Sequence, residues 1–132
     1  MTLHGDGIYD KIFRHYIGEM GGSFLIITND ILFYKTFRGC LKTLGLRYDP
    51  IHSHSSYINT GKRIRDLLGL YKHVFIIIER NIEGRSCLDE LSSLKESFGP
   101  KIKIVVASIE INKESTILIY EKGADGVIIK PV

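Results

Sequence analysis

Apolar positions along this chain come in two rhythms. Four compact runs, residues 24–28, 73–78, 102–108 and 126–129, are rich in β-branched side chains and lack the polar alternation of a half-exposed strand. Runs of that kind suit strands covered on both faces, as in a parallel sheet. Between them the apolar residues recur at helical spacing. Residues 31–44 set Leu32, Phe33, Phe37, Cys40, Leu41 and Leu44 on one stripe, and Gly45 is a natural stop. Residues 61–71 repeat Ile64, Leu67, Leu68 and Tyr71, residues 86–98 open on a serine suited to capping and carry Leu88, Leu91 and Leu94, and residues 115–122 form a short last helix before Gly123. Residues 47–52 are a weaker strand, and Pro50 within them suits an edge position. Strands alternating with helices in this way predict an α/β fold: a doubly wound, five-stranded parallel sheet with helices on both faces.

The two ends of the chain modify this expectation. Residues 8–20 have helical spacing through Ile8, Ile12, Phe13, Tyr16 and Ile17 and join the first strand through Gly21-Gly22. Residues 1–22 therefore read as an N-terminal helical extension, and residues 23–132 as the domain itself. The usual helix after the fifth strand is missing, so two readings of the extension stay open. It either fills the slot of that helix or serves as a linker or dimer contact.

At 132 residues, with 44% hydrophobic and 25% charged side chains, the chain has the material for one globular domain. A net charge of +3, from 18 basic residues scattered along the chain, does not suggest a nucleic-acid partner. The longest apolar run, residues 74–78, is far too short to span a bilayer, so no membrane contact is expected. Cys40 and Cys87 fall in predicted helices with no histidine arranged beside them. They read as buried structural thiols in a reducing, cytoplasmic setting.

Two constellations suggest chemistry and then fall short of it. His52 and His54 share a strand face but have no third metal ligand. Asn59-Thr60-Gly61-Lys62-Arg63 is half of a phosphate loop, with Ser56 in place of the first glycine and Arg63 in place of the hydroxyl residue. Neither a G-x-G-x-x-G turn after a strand nor a G-x-S-x-G elbow occurs.

The carboxyl-terminal third carries a more specific pattern. Val105-Val106-Ala107-Ser108 is followed by Gly123-Ala124-Asp125-Gly126-Val127-Ile128-Ile129-Lys130-Pro131. This resembles the end of a response-regulator receiver domain, in which a Ser or Thr ends the fourth strand, a Gly-Ala-Asp turn opens the fifth and Lys-Pro closes it. Asp30-Ile31-Leu32-Phe33 through Lys42-Thr43-Leu44-Gly45 is similar to the first helix of that family, and residues 75–91 to its third strand and following helix. The resemblance covers residues 23–132 and implies a flavodoxin-like strand order, 2-1-3-4-5.

It also implies a pocket: an acidic pair after the first strand to hold Mg²⁺, an aspartate after the third to accept phosphate, and hydroxyl and lysine groups for the phosphoryl oxygens. Counting back from Gly45 puts Thr28 and Asn29 at the acidic pair, with Asp30 one position later. Glu79 stands at the acceptor, and Ser108 and Lys130 match the anion-binding groups. Two neutral residues cannot supply the anionic oxygens Mg²⁺ requires, so metal binding is expected to be weak or absent and no cofactor is implied. Glu79 is expected to pair with Lys130, with Ser108 as a further donor. The resemblance thus implies an atypical receiver in bacterial two-component signalling, not an enzyme, working as a phosphorylation-independent interaction module with a protein partner. Thr116 and Tyr120 on the last helix, with Val127, mark the candidate interaction surface for that partner or a second copy of the chain. The alternative is a flavodoxin-like domain that binds a small ligand or nucleotide at the carboxyl ends of its strands.

Overall fold

The computed structural model describes residues 22–43, 57, 59–109 and 112–130, and the backbone of Tyr48–Ile51. The expected N-terminal helix, Leu44, His52, His54 and Pro131 lie outside the described residues. The main sheet consists of β1 (Gly22–Ile27), β2 (Tyr48–Ile51), β3 (His73–Glu79), β4 (Ile102–Ser108) and β5 (Gly126–Ile129). All neighbours pair in parallel, in the order β2-β1-β3-β4-β5. Among the described residues four α-helices accompany it: α1 (Ile31–Thr43), α2 (Thr60–Leu68), α3 (Leu88–Phe98) and α4 (Lys113–Glu121).

Side-chain alternation along the strands divides the core in two. Leu25, Ile27, Val74, Ile76, Ile78, Ile102, Ile104 and Val106 face Ile64 and Leu67 of α2, Leu91 and Leu94 of α3 and Ile119 of α4. Phe24, Ile26, Phe75, Ile77, Val105, Ala107 and Ile128 share the other face with Phe33, Phe37 and Leu41 of α1. This split follows from right-handed crossovers: the chain steps outward from β1 to β2 over one face, then returns across β1 to β3 and beyond over the other. The reversal of direction leaves a crevice beyond the carboxyl ends of β1 and β3, where open α/β sheets place their sites.

Some local expectations need correction. Leu32 was assigned to the buried stripe of α1 but is 75% exposed. The helix meets the sheet along the ridge Phe33, Phe37, Leu41, and Leu32, about 100° around the axis from Phe33, falls outside the contact. Cys87 is not within a helix but stands at the N-cap position of α3, where it is fully buried, and burial above all pushes its thiol pKa up to about 12. Cys40 is half-buried on α1. After β3 the chain makes a small antiparallel hairpin, Asn81–Ile82 with Arg85–Ser86, which periodicity did not predict. Its turn residues, Glu83 (φ 49°) and Gly84 (φ 79°), both take the left-handed backbone that a two-residue hairpin turn favours.

The Gly-Ala-Asp turn has a structural explanation at the end of the sheet away from the crevice. Asp125 Oδ2 accepts from Lys95 Nζ at 2.6 Å and from the Ile104 backbone N–H at 2.8 Å, tying α3 and β4 to the start of β5. Gly123 has φ 114°, and a Cβ there would lie 2.7 Å from Lys95 Cγ. Gly123→Ala is therefore expected to lower the unfolding free energy by about 2 kcal/mol, read from urea denaturation midpoints.

Candidate functional site

Strand register assembles the site. Ile27 lies opposite Ile78, so Thr28 and Glu79 leave the sheet side by side. Glu79 pairs with Ala107, which puts Ser108 next in line, and Ser108 pairs with Ile129, which puts Lys130 next. Residues spread over some hundred positions of sequence thus converge at the crevice.

The side chains of Thr28, Asp30, Glu79 and Lys130 form one connected network. Lys130 Nζ donates to Asp30 Oδ2 at 2.6 Å and to Glu79 Oε1 at 2.7 Å. The Thr28 hydroxyl donates to the same Glu79 oxygen at 2.9 Å and accepts from the Asp30 backbone N–H at 2.9 Å. Asp30 also caps α1: its Oδ1 accepts from Phe33 N–H at 3.0 Å, and its carbonyl accepts from Tyr34 N–H. Phe33, the residue so positioned, lies beneath the ammonium, 4.8 Å from Lys130 Nζ to the ring centroid. The Lys130 and Glu79 side chains are 10% and 7% exposed, against 39% for Asp30.

The protonation states follow. Burial opposes the Lys130 charge most strongly, yet the hydrogen bonds and charges of Asp30 and Glu79 outweigh it and hold the pKa above the ordinary 10.5. The Asp30 pKa is held below 3.8, chiefly by its hydrogen bond to Lys130 and against some burial. The Lys130 ammonium and the Asp30 carboxylate thus hold each other charged in a partly dehydrated site.

Thr28, Asp30, Glu79 and Lys130, all expected at the site, do come together, and Ser108 is buried at its side. Ser108 joins Glu79, Arg80, Asn81, Ala107 and Ile109 in lining a cleft of about 250 Å³. That volume lies below the roughly 300–1,000 Å³ of small-molecule sites. Arg80, Asn81 and Ile109 were missed, since each depends on how the loops after β3 and β4 face one another. Tyr57 was missed as well; it is buried, and its hydroxyl donates to the Glu79 carbonyl at 2.9 Å. Of the predicted interaction surface, Tyr120 is 48% exposed, Thr116 bonds back to the Asn112 carbonyl, and Val127 packs partly buried against the larger core. Ile117, Leu118 and Ile129 add exposed apolar area on the same helix and strand.

Solved structures share this architecture. A two-component response regulator from Clostridium difficile superposes with a TM-score of 0.66 at 18% identity, over 84% of each chain. A response regulator receiver domain protein from Methanospirillum hungatei superposes with a TM-score of 0.67 at 15% identity, over 84% of this chain and 82% of that one. The fold is that of a receiver domain. A Burkholderia pseudomallei response regulator, solved with a phosphorylated aspartic acid, a calcium ion and citrate, has the same fold at a TM-score of 0.65 and 22% identity. This chain spans 61% of its length. No protein-family model and no curated protein sequence matches the chain.

The receiver fold implies a divalent cation at this crevice, and the groups present do not fit one. Thr28 and Asn29 are neutral, both Asp30 oxygens already accept hydrogen bonds, and the Glu79 oxygen facing them holds Thr28 and Lys130. The Lys130 ammonium already sits between the same two carboxyl groups, and its positive charge opposes a second cation there. Among the described residues no group of three or more His, Cys, Asp or Glu is placed to hold a metal ion, and no helix is long and apolar enough to cross a membrane.

Proposed function

We propose that this chain is an atypical receiver that acts in bacterial two-component-type signalling as a phosphorylation-independent protein-interaction module. The observation that supports it is the Lys130 ammonium shared between Asp30 and Glu79. In-line phosphoryl transfer relies on metal and positive groups to stabilise charge on the transferred oxygens. Here the positive group is already neutralised from within, and the acceptor position holds a glutamate whose carboxylate accepts two hydrogen bonds. Glu79 therefore serves as a built-in anion that keeps the pocket in one state. The domain is not an enzyme, needs no cofactor and works in the cytoplasm. Its partner is a protein that docks on the exposed α4–β5 surface around Tyr120, Ile117 and Ile129, and a second copy of the chain would use the same patch.

Incubation with a small phosphodonor such as acetyl phosphate and Mg²⁺, followed by intact-mass spectrometry, tests this reading. The mass is expected to stay unchanged. A gain of one phosphoryl group mapped to Glu79 or Asp30 would overturn it. For the interaction surface, Tyr120→Glu is expected to weaken partner capture or self-association by about tenfold while leaving Tm nearly unaltered, as at an exposed hot spot.

A further inference from the structure

Glu79 is the last residue of β3, and its position depends on where the backbone leaves the sheet. The Arg80 N–H donates to the Ala107 carbonyl at 2.8 Å, extending the ladder towards β4. In a trans peptide the carbonyl points away from the following N–H, so the Glu79 carbonyl faces the β1 side. There the ladder has ended, at Ile27 opposite Ile78. A buried carbonyl without a ladder partner needs a donor from elsewhere.

Tyr57, from the connection between β2 and α2, supplies it. Its side chain is buried in the larger core, and its hydroxyl lies 2.9 Å from the Glu79 carbonyl oxygen and 3.4 Å from those of Arg80 and Arg85. Burial, with Cys87 and Glu79 nearby, raises the Tyr57 pKa, so the group stays a proton donor. One hydroxyl therefore reaches both ends of the turn from β3 into the hairpin. Ile82, fully buried, anchors the hairpin from below, and Cys87 N–H closes it onto the Arg80 carbonyl at 2.8 Å.

We propose that Tyr57 is a positioning residue for the site: it holds the Glu79 backbone and the hairpin together, so that the Glu79 carboxylate stays within reach of both Thr28 and Lys130. The closed network then has two ties, the Lys130 ammonium at the crevice and the Tyr57 hydroxyl beneath it. Loosening the lower tie frees residues 80–87 and lets the upper one open. This rests on the reading that the Glu79–Lys130 pair fixes the pocket.

The test compares the full chain with Tyr57→Phe, Glu79→Gln and Leu67→Ala variants. One readout is amide hydrogen exchange, and the other is the acylation rate of Lys130 by a small amine-reactive reagent, followed by mass spectrometry. Leu67→Ala removes a buried side chain of α2 and leaves the Tyr57 hydroxyl in place, so it controls for general destabilisation. Tyr57→Phe is expected to raise exchange at residues 80–87 and Lys130 acylation by about tenfold, while strand amides in β1 and β4 and the Leu67→Ala variant change less than about twofold. Acylation in Tyr57→Phe within about twofold of the parent, or an equal rise in Leu67→Ala, overturns the positioning role. Glu79→Gln separates the two ideas. If it raises Lys130 acylation while Tyr57→Phe does not, only the role of Tyr57 fails; if it leaves acylation unchanged, the lock itself fails.

Discussion

Replacing Lys130 by methionine is expected to lower the unfolding free energy by about 3 kcal/mol at neutral pH. Removing one member of a buried ion pair leaves the other charge without compensation, which typically costs roughly 3–5 kcal/mol. The low end applies because the second carboxylate, Asp30, is 39% exposed and can turn to water. Against a total of roughly 5–15 kcal/mol for an ordinary domain, that is a large fraction. The double variant Glu79→Met with Lys130→Met is expected to recover most of the loss, since it removes the orphaned charge along with its partner. Urea denaturation of the four proteins gives the cycle. A double variant as unstable as Lys130→Met alone would show that the loss came from packing around the lysine stem.

The pH dependence of this difference follows from the direction of each shift. Lys130 titrates above 10.5, so its contribution is whole below that value and fades as pH rises through the folded-state pKa. Asp30 titrates below 3.8, so its contribution is whole above that value and fades as pH falls through the folded-state pKa. The stability gap between the parent and Lys130→Met is therefore expected to be flat from about pH 5 to 9 and to narrow on either side.

Phe37→Ala is expected to cost about 4 kcal/mol, within the usual range for truncating a buried phenylalanine. Phe37 is fully buried at the centre of the α1 ridge and packs 5.8 Å, centroid to centroid, from Phe33. Phe33 in turn forms the floor beneath the Lys130 ammonium. The cavity should therefore lower Tm and also loosen the platform of the site, seen as broadened NMR signals for Phe33 and Lys130. A loss below about 1 kcal/mol would mean that α1 is not anchored as described.

The contrast between what patterning reveals and what it hides is instructive. The aliphatic runs of β3 and β4 announce buried strands because both faces are covered, and α1 announces itself through Phe33, Phe37 and Leu41. Glu79 and Lys130 could be paired in advance only because the receiver resemblance placed both at strand ends. Asp30 was visible as a stray carboxylate, but its two tasks, capping α1 and holding Lys130, depend on a loop geometry that spacing does not encode. Thr28 was read only as a missing carboxylate, whereas its hydroxyl actively supports Glu79. The hairpin after β3 escaped because two-residue strands have no period to detect, and Tyr57 escaped because its partners are backbone carbonyls, which carry no residue signature.

The central proposal is that Lys130, held between Asp30 and Glu79, closes the crevice on itself and leaves no set of anionic oxygens open to a divalent cation. An NMR titration of the full chain with Mg²⁺ at millimolar concentrations tests it most directly, following the amides of Asn29, Asp30, Arg80 and Lys130. Those signals are expected to show no saturable shift, and the Lys130 ammonium to stay engaged with Asp30 and Glu79. Saturation of the same signals at low Mg²⁺ concentration, with the ammonium displaced from Glu79, would contradict the account.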